Sequence, residues 1–194
     1  MLSKGIAALL SSIIFGGVLL VASDKSENTE PSQKSNVAEG RVQNQSLKYV
    51  DLPKNDQRQI DCLASNIYFE ARAEPKEGQV AVAKVTLNRT SHSDFPDTVC
   101  EVVTQKRNSV CQFSWWCDAK AKQQALSKTF RDYDVYLSIR KMATKLYLNH
   151  DHMEDLTGGA LFYHATYVSV KKIGVRGLQK TAHIGQHIFY RTKI

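Results

Sequence analysis

The chain has 194 residues, of which 42% are hydrophobic and 23% are charged, which is an ordinary globular balance. The length predicts one domain with additional segments. Its 26 Lys and Arg residues exceed its 19 Asp and Glu residues, giving a formal net charge of +7 that suits a polyanionic partner. The basic residues are scattered, and no dense basic patch accompanies a metal-carboxylate motif, which argues against a nuclease and nucleic-acid binding.

Residues 1–23 are almost wholly apolar and carry a single positive charge at Lys4. The small residues Val21-Ala22-Ser23 offer a cleavage site, so we predict a signal peptide. The alternative is an uncleaved signal-anchor that tethers the protein to the membrane through residues 5–22. Both predictions place the rest of the chain in the periplasm or cell envelope. In the second, the chain stays anchored to the inner membrane.

Residues 24–58 are predicted to be a polar linker, because few aliphatic residues are available there to bury apolar surface. Residues 59–194 have the composition of a folded domain, for which we expect a monomer. All four cysteines lie in this domain, and an even number in an exported chain favours two disulfides.

Four cysteines allow three pairings. We favour Cys111–Cys117 with Cys62–Cys100, because the first pair brackets a short aromatic loop. Buried free thiols are the alternative. Zinc is disfavoured because no paired C-x-x-C spacing is present, and we assign no metal and no cofactor. His150 and His152, near several acids, are interpreted as a solvated helix end.

A helix is predicted from Asp56, which resembles a capping box with Gln59. Apolar residues then recur at helical spacing until Pro75, which ends this helix and opens a second one, although its Val and Thr content would also fit a strand. Asp97 is predicted to cap a short helix through Val103, and residues 132–149 form another amphipathic helix.

Gly158-Gly159 breaks the helical pattern, and short strand-like runs follow at residues 160–165, 180–184 and 187–190. Gly185-Gln186 separates the last two runs and suits a two-residue hairpin turn. The predicted fold class is therefore α+β, mostly helical with a small antiparallel sheet at the C-terminal end.

Glu70 is the strongest candidate for chemistry. It lies seven residues after Leu63, beside the apolar stripe and near the C-terminal end of the first helix. Burial, the negative helix end and the nearby carboxylate of Glu74 would all raise its pKa, which suits a general acid. The alternative is a structural glutamate paired with Arg72, Lys84 or Arg89.

The run CLASNIYFEARAEPKEGQVAVAKVTLNR, residues 62–89, resembles the signature of the spore cortex-lytic enzyme family of cell-wall hydrolases (SleB/CwlJ type). Three further segments fit in order: CQFSWWCD, GALFYHATYVSV and IGQHIFYR. The resemblance implies a lysozyme-like α+β fold that cleaves the β-1,4 bond between N-acetylmuramic acid and N-acetylglucosamine of peptidoglycan. The family's catalytic glutamate corresponds to Glu70.

A single acid suits a lytic transglycosylase, in which the sugar's own 6-hydroxyl displaces the leaving group. A muramidase-type hydrolase would instead need a second carboxylate, for which Glu74, Glu77 and Asp118 are candidates. Substrate binding is predicted for seven residues that could stack on sugar rings or hydrogen-bond to them: Glu74, Gln112, Phe113, Ser114, Trp115, Tyr163 and His164. Trp116 is adjacent to Trp115, so one of the two is expected in the core.

Two departures from the family pattern are present. Ala73 replaces a glycine after E-A-R, and Val170-Lys171-Lys172 stands where Pro-x-Trp is common. Two other classes remain as alternatives: a non-catalytic peptidoglycan-binding module, and a thiol enzyme that uses Cys62 or Cys111 with His164.

Overall fold

The computed structural model describes residues 48–168 and 177–193. The predicted leader, most of the predicted linker and the Val170-Lys171-Lys172 departure lie outside these residues. A 3-10 turn, Tyr49–Asp51, already belongs to the folded region, because the Tyr49 hydroxyl donates to Asp61 at 2.8 Å and Leu52 is buried. The predicted domain start at residue 59 is therefore too late.

Six helices and five strands follow in the two described ranges. They are α1 (Lys54–Ala71), α2 (Lys76–Thr90), α3 (Val99–Thr104), β1 (Lys106–Arg107), β2 (Val110–Cys111), α4 (Ser114–Cys117), α5 (Ala119–Ser127), α6 (Tyr133–Asn149), β3 (Phe162–Ala165), β4 (Leu178–Ile184) and β5 (His187–Thr192). Between residues 48 and 168 and between 177 and 193, no helix is long and apolar enough to cross a bilayer.

Helix α1 is the centre of the main core. Its apolar stripe, including Ile60, Leu63 and Ile67, is fully buried and packs mainly against α6, α3 and α2. The helix begins at Lys54 with Pro53 at the N-cap position, so the predicted capping box at Asp56 is wrong. Pro53 itself is extended, with a ψ of 147°, and helical geometry starts at the next residue.

Helix α2 starts directly after Pro75, and its prediction as a helix rather than a strand is confirmed. Residues 81–87 are all buried, because α2 packs against α1, α3 and α6 and also contacts the sheet. A helix covered on nearly every side has little amphipathic periodicity, which is why its Val and Thr content also resembled a strand.

Two predictions between α2 and α6 need correction. Thr98, rather than Asp97, caps α3, and its side chain accepts a hydrogen bond from the Glu101 amide. Helix α5 was not predicted; Asp118 caps it by accepting from the Ala121 amide at 2.7 Å. The predicted helix at residues 132–149 is confirmed as α6.

The C-terminal sheet is antiparallel with strand order β3-β5-β4. The predicted Gly185-Gln186 turn joins β4 to β5, and Gly185 has a φ of +56°. The Gln186 amide donates to Glu74 Oε2 at 2.9 Å, and a Cβ on Gly185 would collide with the same carboxylate. A glycine is therefore required both by the turn and by its close approach to the segment between α1 and α2.

Asp155 organises the turn that leads into β3. Its carboxylate accepts hydrogen bonds from the Thr157 hydroxyl at 2.6 Å, the Asn88 side chain at 2.9 Å and the Gly159 amide at 3.0 Å. Partial burial raises the pKa of Asp155, but these hydrogen bonds outweigh burial and hold it below its ordinary value. The carboxylate therefore links α2 to the start of the sheet.

We expect Asp155→Ala to lower the free energy of unfolding by about 1–3 kcal/mol at pH 7, because it leaves several donors without an acceptor. A depressed pKa contributes stability above the unfolded-state pKa and loses it as pH falls through the folded-state pKa. The difference between wild type and variant should therefore shrink in acid. Urea unfolding at pH 7 and pH 3 measures this, and an equal difference at both pH values contradicts it.

Candidate active site

Glu70 lies one residue before the end of α1, where the α2 and β3 elements converge on it. Burial raises the pKa of this carboxyl above its ordinary value, while a hydrogen bond from Tyr163 and the charge of Arg89 act in the opposite direction. The predicted direction of the pKa shift is therefore confirmed, with burial as its main cause. Such a group can retain its proton at a pH where an exposed glutamate has lost it.

Tyr163, on β3, donates its hydroxyl to Glu70 Oε2 at 3.3 Å. Burial and the negative charge of Glu70 raise the pKa of Tyr163 well above its ordinary value, so the phenol remains a neutral donor. Its ring packs against His187 and Phe189 of β5, with centroid distances of 5.2 and 5.8 Å. The sheet thus holds one oxygen of Glu70 in place.

Arg89, near the end of α2, lines the same cleft and is only 2% exposed. Its Nε donates to the Leu161 carbonyl at 2.8 Å, and its guanidinium carbon lies 5.0 Å from the centroid of Phe95 and 5.3 Å from that of Phe113. Burial lowers the pKa of Arg89 to about 10, so it remains a cation at neutral pH. This fixes a positive charge in the wall of the cleft.

The disulfide-closed loop at residues 111–117 forms another wall of the cleft. The disulfides join Cys111 to Cys117 and Cys62 to Cys100, the pairing favoured above. Trp115 anchors the loop to α1, because its Nε1 donates to Asn66 at 2.9 Å and its ring stacks on Phe69 at 4.7 Å. Since both partners lie within one turn of Glu70, the loop is held beside that residue.

The resulting cleft has a volume of about 220 Å³. Seven residues line it: Glu70, Arg89, Cys111, Gln112, Phe113, Ser114 and Tyr163. The side chains of Gln112 and Ser114 are exposed there and can donate to or accept from a ligand. The structure therefore brings five of the predicted site residues together.

A larger cavity, of about 540 Å³, is lined by Trp116, Asp61 and Glu101 among others. The Asp61 carboxylate is already engaged by Lys128 Nζ at 2.9 Å and by two tyrosine hydroxyls. Glu101 is exposed. Glu70, by contrast, combines burial with a raised pKa, so the smaller cleft is the candidate active site.

Two predicted sugar-stacking residues of the disulfide-closed loop are packed into the core. Phe113 and Trp115 are 3% and 7% exposed, so neither ring face is free to stack on a sugar, although Phe113 still forms part of the cleft wall. The expectation that one of the two tryptophans belongs to the core is thus confirmed. Apolar side chains in a short loop pack inward when a neighbouring helix supplies partners, as Phe69 does here.

Glu74 and His164 lie outside the cleft. The Glu74 carboxylate binds the hairpin turn described above. His164 is buried, with its Nδ1 2.8 Å from the Ala165 carbonyl and its Nε2 2.9 Å from the Tyr190 hydroxyl. Both ring nitrogens are therefore engaged within the sheet, which leaves His164 no free nitrogen for a substrate.

In the part of the chain that the structure describes, Glu70 is the only carboxyl that lines this cleft. Glu77 is exposed on the first turn of α2, and Asp118 caps α5. Across the same residues, no group of three or more His, Cys, Asp or Glu side chains could hold a metal ion. All four cysteines are disulfide-bonded, which removes the nucleophile of a thiol enzyme.

Arg89 lines the cleft, although from the sequence it was expected only as a structural partner of Glu70. The sequence places Arg89 nineteen residues after Glu70, on the second predicted helix. That position does not reveal that the two residues share a cleft, which depends on how the helices pack. The Ala73 departure is tolerated, because Ala73 is not among the residues with a positive φ. The backbone behind Glu70 therefore does not need a glycine there.

Comparisons with known proteins match this chain to one family. Residues 73–190 match the family described as Cell Wall Hydrolase, a range that begins just after Glu70. A spore cortex-lytic enzyme of Bacillus cereus is 32% identical over 165 residues, which are 84% of this chain and 51% of that protein. One of Oceanobacillus iheyensis is 49% identical over 59 residues, covering 30% of this chain and 21% of that protein.

Solved structures extend the likeness to the fold. The catalytic domain of the germination-specific lytic transglycosylase SleB from Bacillus anthracis is 33% identical, with a TM-score of 0.51 over 72% of this chain and 100% of that one. The catalytic domain of Bacillus cereus SleB is 28% identical, with a TM-score of 0.50 over 70% and 91%. The predicted lysozyme-like α+β architecture is thereby confirmed. The chain spans about half the length of the Bacillus cereus curated relative.

Proposed function

Because the chain belongs to the cell wall hydrolase family, we propose that it is an enzyme that cleaves the glycan strands of peptidoglycan. The bond cut is the β-1,4 linkage between N-acetylmuramic acid and N-acetylglucosamine, and the reaction is that of a lytic transglycosylase. The observation that carries the proposal is the Glu70 carboxyl in the cleft, whose pKa is raised by burial and which Tyr163 positions through a hydrogen bond.

In the first step, Glu70 donates its proton to the glycosidic oxygen as the bond from that oxygen to C1 of N-acetylmuramic acid breaks. Proton donation to a leaving group is most efficient when the pKa of the acid lies near the working pH, and burial shifts the pKa of Glu70 upward from its ordinary value. The released N-acetylglucosamine end carries the new hydroxyl. Glu70 is left as a carboxylate beside Tyr163 and Arg89.

In the second step, the 6-hydroxyl oxygen of the same N-acetylmuramic acid forms a bond to C1, and its proton passes to the Glu70 carboxylate. The product is a 1,6-anhydro ring, no water is consumed, and Glu70 has regained its proton. One carboxyl therefore serves as acid and then as base.

The absence of a second carboxyl from the cleft, among the described residues, favours this route over hydrolysis. Glycosidases that use two carboxyls place them about 5–10 Å apart on opposite sides of the bond. Glu74 and Asp118 instead make structural hydrogen bonds. The exposed side chains of Gln112 and Ser114 are suited to hydrogen-bonding the sugar hydroxyl or N-acetyl groups.

The test is digestion of purified peptidoglycan, followed by mass analysis of the soluble fragments. Anhydro ends are expected at the cut site. Reducing ends would establish a muramidase-type hydrolase instead, and intact strands with cleaved peptides would contradict glycan cleavage altogether. Binding to peptidoglycan without any cleavage would assign the chain to a non-catalytic binding module.

We also propose that the domain works outside the cytoplasm, tethered through residues 5–22 or released after cleavage. The two disulfides support an oxidising compartment, where such bonds persist. Mass analysis of the mature protein from cell-envelope fractions tests this, because loss of residues 1–23 and two intact disulfides are expected for a cleaved leader.

A further inference from the structure

The guanidinium of Arg89 contains a buried donor that the resting structure does not use. Its Nε is bonded to the Leu161 carbonyl, but its Nη1 has almost no solvent-accessible surface and no hydrogen-bond partner among the described residues. A buried N–H group without an acceptor is destabilising and uncommon in folded proteins. The arrangement therefore calls for an acceptor that is present only part of the time.

Few groups in the cleft can supply that acceptor. Of the side chains that line it, Glu70 alone can become negatively charged near neutral pH, since the pKa of Tyr163 is raised well above its ordinary value. The charge of Arg89 already acts on Glu70, although no salt bridge or hydrogen bond joins the two residues. A sugar oxygen is a poorer candidate, because Nη1 exposes almost no surface to the space that substrate would enter.

The aromatic rings around Arg89 keep the cation in place. Phe95, Phe113 and Phe162 lie 5.0, 5.3 and 5.8 Å from its guanidinium carbon, and each presents its ring to the cation. The guanidinium cannot swing out to water without losing these contacts and its bond to Leu161. Its charge is consequently preorganised toward a carboxylate that forms in the cleft.

We infer that Arg89 is a positioning residue for the proposed reaction, whose free Nη1 donor receives the Glu70 carboxylate when that side chain has given up its proton. This inference rests on the proposed function, because Arg89 would stabilise the Glu70 carboxylate between the two proton transfers of that reaction. Glu70 alternates between a protonated form held by Tyr163 and an ionised form held by Tyr163 and Arg89 together.

The groups that face this pair are few. Glu70 comes from α1, Arg89 from α2 and Tyr163 from β3, while His187 of β5 contacts the Tyr163 ring. Burial lowers the pKa of His187, although the charge of Glu74 acts in the opposite direction. Gln112, Phe113 and Ser114 do not titrate, so a change in the pH profile reports on Glu70.

The test compares Arg89→Met with a matched control, Lys84→Met, in the full chain. Lys84 is another buried cation of α2, but its ammonium donates to the carbonyls of His150 at 2.7 Å and Met153 at 2.8 Å, away from the cleft. Both variants lose one buried charge and some stability. Only the loss of Arg89 should alter the acidity of Glu70.

For Arg89→Met we expect kcat on purified peptidoglycan to fall about tenfold, and the pH above which activity is lost to rise by about one unit. The sign follows because activity needs protonated Glu70, and removing a nearby cation makes that proton harder to lose. Arg89→Lys, which keeps the charge, should return the pH profile toward wild type. Lys84→Met should lower the unfolding temperature and leave the pH profile unchanged.

A second measurement does not depend on activity. The difference in unfolding free energy between each protein and its Glu70→Gln derivative should change with pH around the Glu70 pKa, and at a higher pH in the Arg89→Met background. If Arg89→Met does not fold, Arg89→Gln replaces it in both measurements. The inference would be overturned if Arg89→Met changed neither the pH profile of activity nor the pH dependence of the unfolding free-energy difference. A wild-type protein that cuts no glycan would contradict the proposed function alone.

Discussion

Replacing Glu70 by glutamine is expected to reduce the rate of glycan cleavage by about 10²–10⁴-fold or more, because the amide cannot donate the proton that the leaving oxygen needs. The amide has nearly the same shape and can still accept the Tyr163 hydrogen bond, so binding to peptidoglycan should persist. The measurement is release of soluble fragments from purified peptidoglycan at equal folded concentrations. Glu154→Gln, the same chemical change at an exposed position, should cleave at the wild-type rate.

The same substitution should affect stability in a pH-dependent direction. A carboxyl whose pKa is raised by folding contributes stability below its unfolded-state pKa and loses that contribution as pH rises through the folded-state pKa. The raised pKa of Glu70 therefore penalises the folded wild type in neutral and alkaline solution. Glu70→Gln should be the more stable protein at pH 8, with a smaller advantage at pH 4.

Full activity of Glu70→Gln would place the acid elsewhere and remove the basis of the mechanism. Loss of activity together with a large loss of stability at every pH would indicate a structural role for Glu70 instead. Urea unfolding at the two pH values, with the Glu154→Gln control, separates these outcomes.

Removal of the Cys62–Cys100 disulfide is expected to lower the free energy of unfolding by about 4 kcal/mol, because it frees a loop spanning 38 residues in the unfolded chain. The bond joins α1 to α3 and does not line the Glu70 cleft. A Cys62→Ala/Cys100→Ala protein should therefore retain the wild-type kcat at temperatures where it is folded.

Loss of the Cys111–Cys117 disulfide should affect stability less and the rate of cleavage more. It spans only 6 residues, so its loss is expected to lower the free energy of unfolding by about 2 kcal/mol. It also holds Gln112, Phe113 and Ser114 against Glu70, so Cys111→Ala/Cys117→Ala should lower kcat in the folded protein. Urea unfolding and rate measurements on both double variants test this contrast, and an unchanged kcat in the second would exclude the loop from the site.

Local sequence patterns predicted the helices around Glu70 and the C-terminal hairpin correctly. The spacing of Ile60, Leu63 and Ile67 marks one face of α1, and Pro75 separates it from α2 whatever the surroundings. Glu70 itself could be singled out because its distance from Leu63 places it beside this apolar face. Such features depend on neighbours within about two turns of chain.

Helix boundaries were less accurate where two residues could serve as caps. Thr98 rather than Asp97 caps α3, and α1 begins at Lys54 rather than at Asp56. Helix α5 was not predicted because it has few apolar residues to mark a buried face, and only Ala125 of its nine residues is buried.

The amino-acid sequence alone determined the main helices, the hairpin turn and the candidate acid, because these depend on residues near one another in the chain. Only the tertiary structure decided that Arg89 and Tyr163 share the cleft with Glu70, that Phe113 and Trp115 pack inward, and that the Glu74 carboxylate binds the hairpin. These contacts join segments far apart in sequence. Which side chains meet in the cleft depends on how the helices and the sheet pack, and the local spacing of residues does not predict that packing.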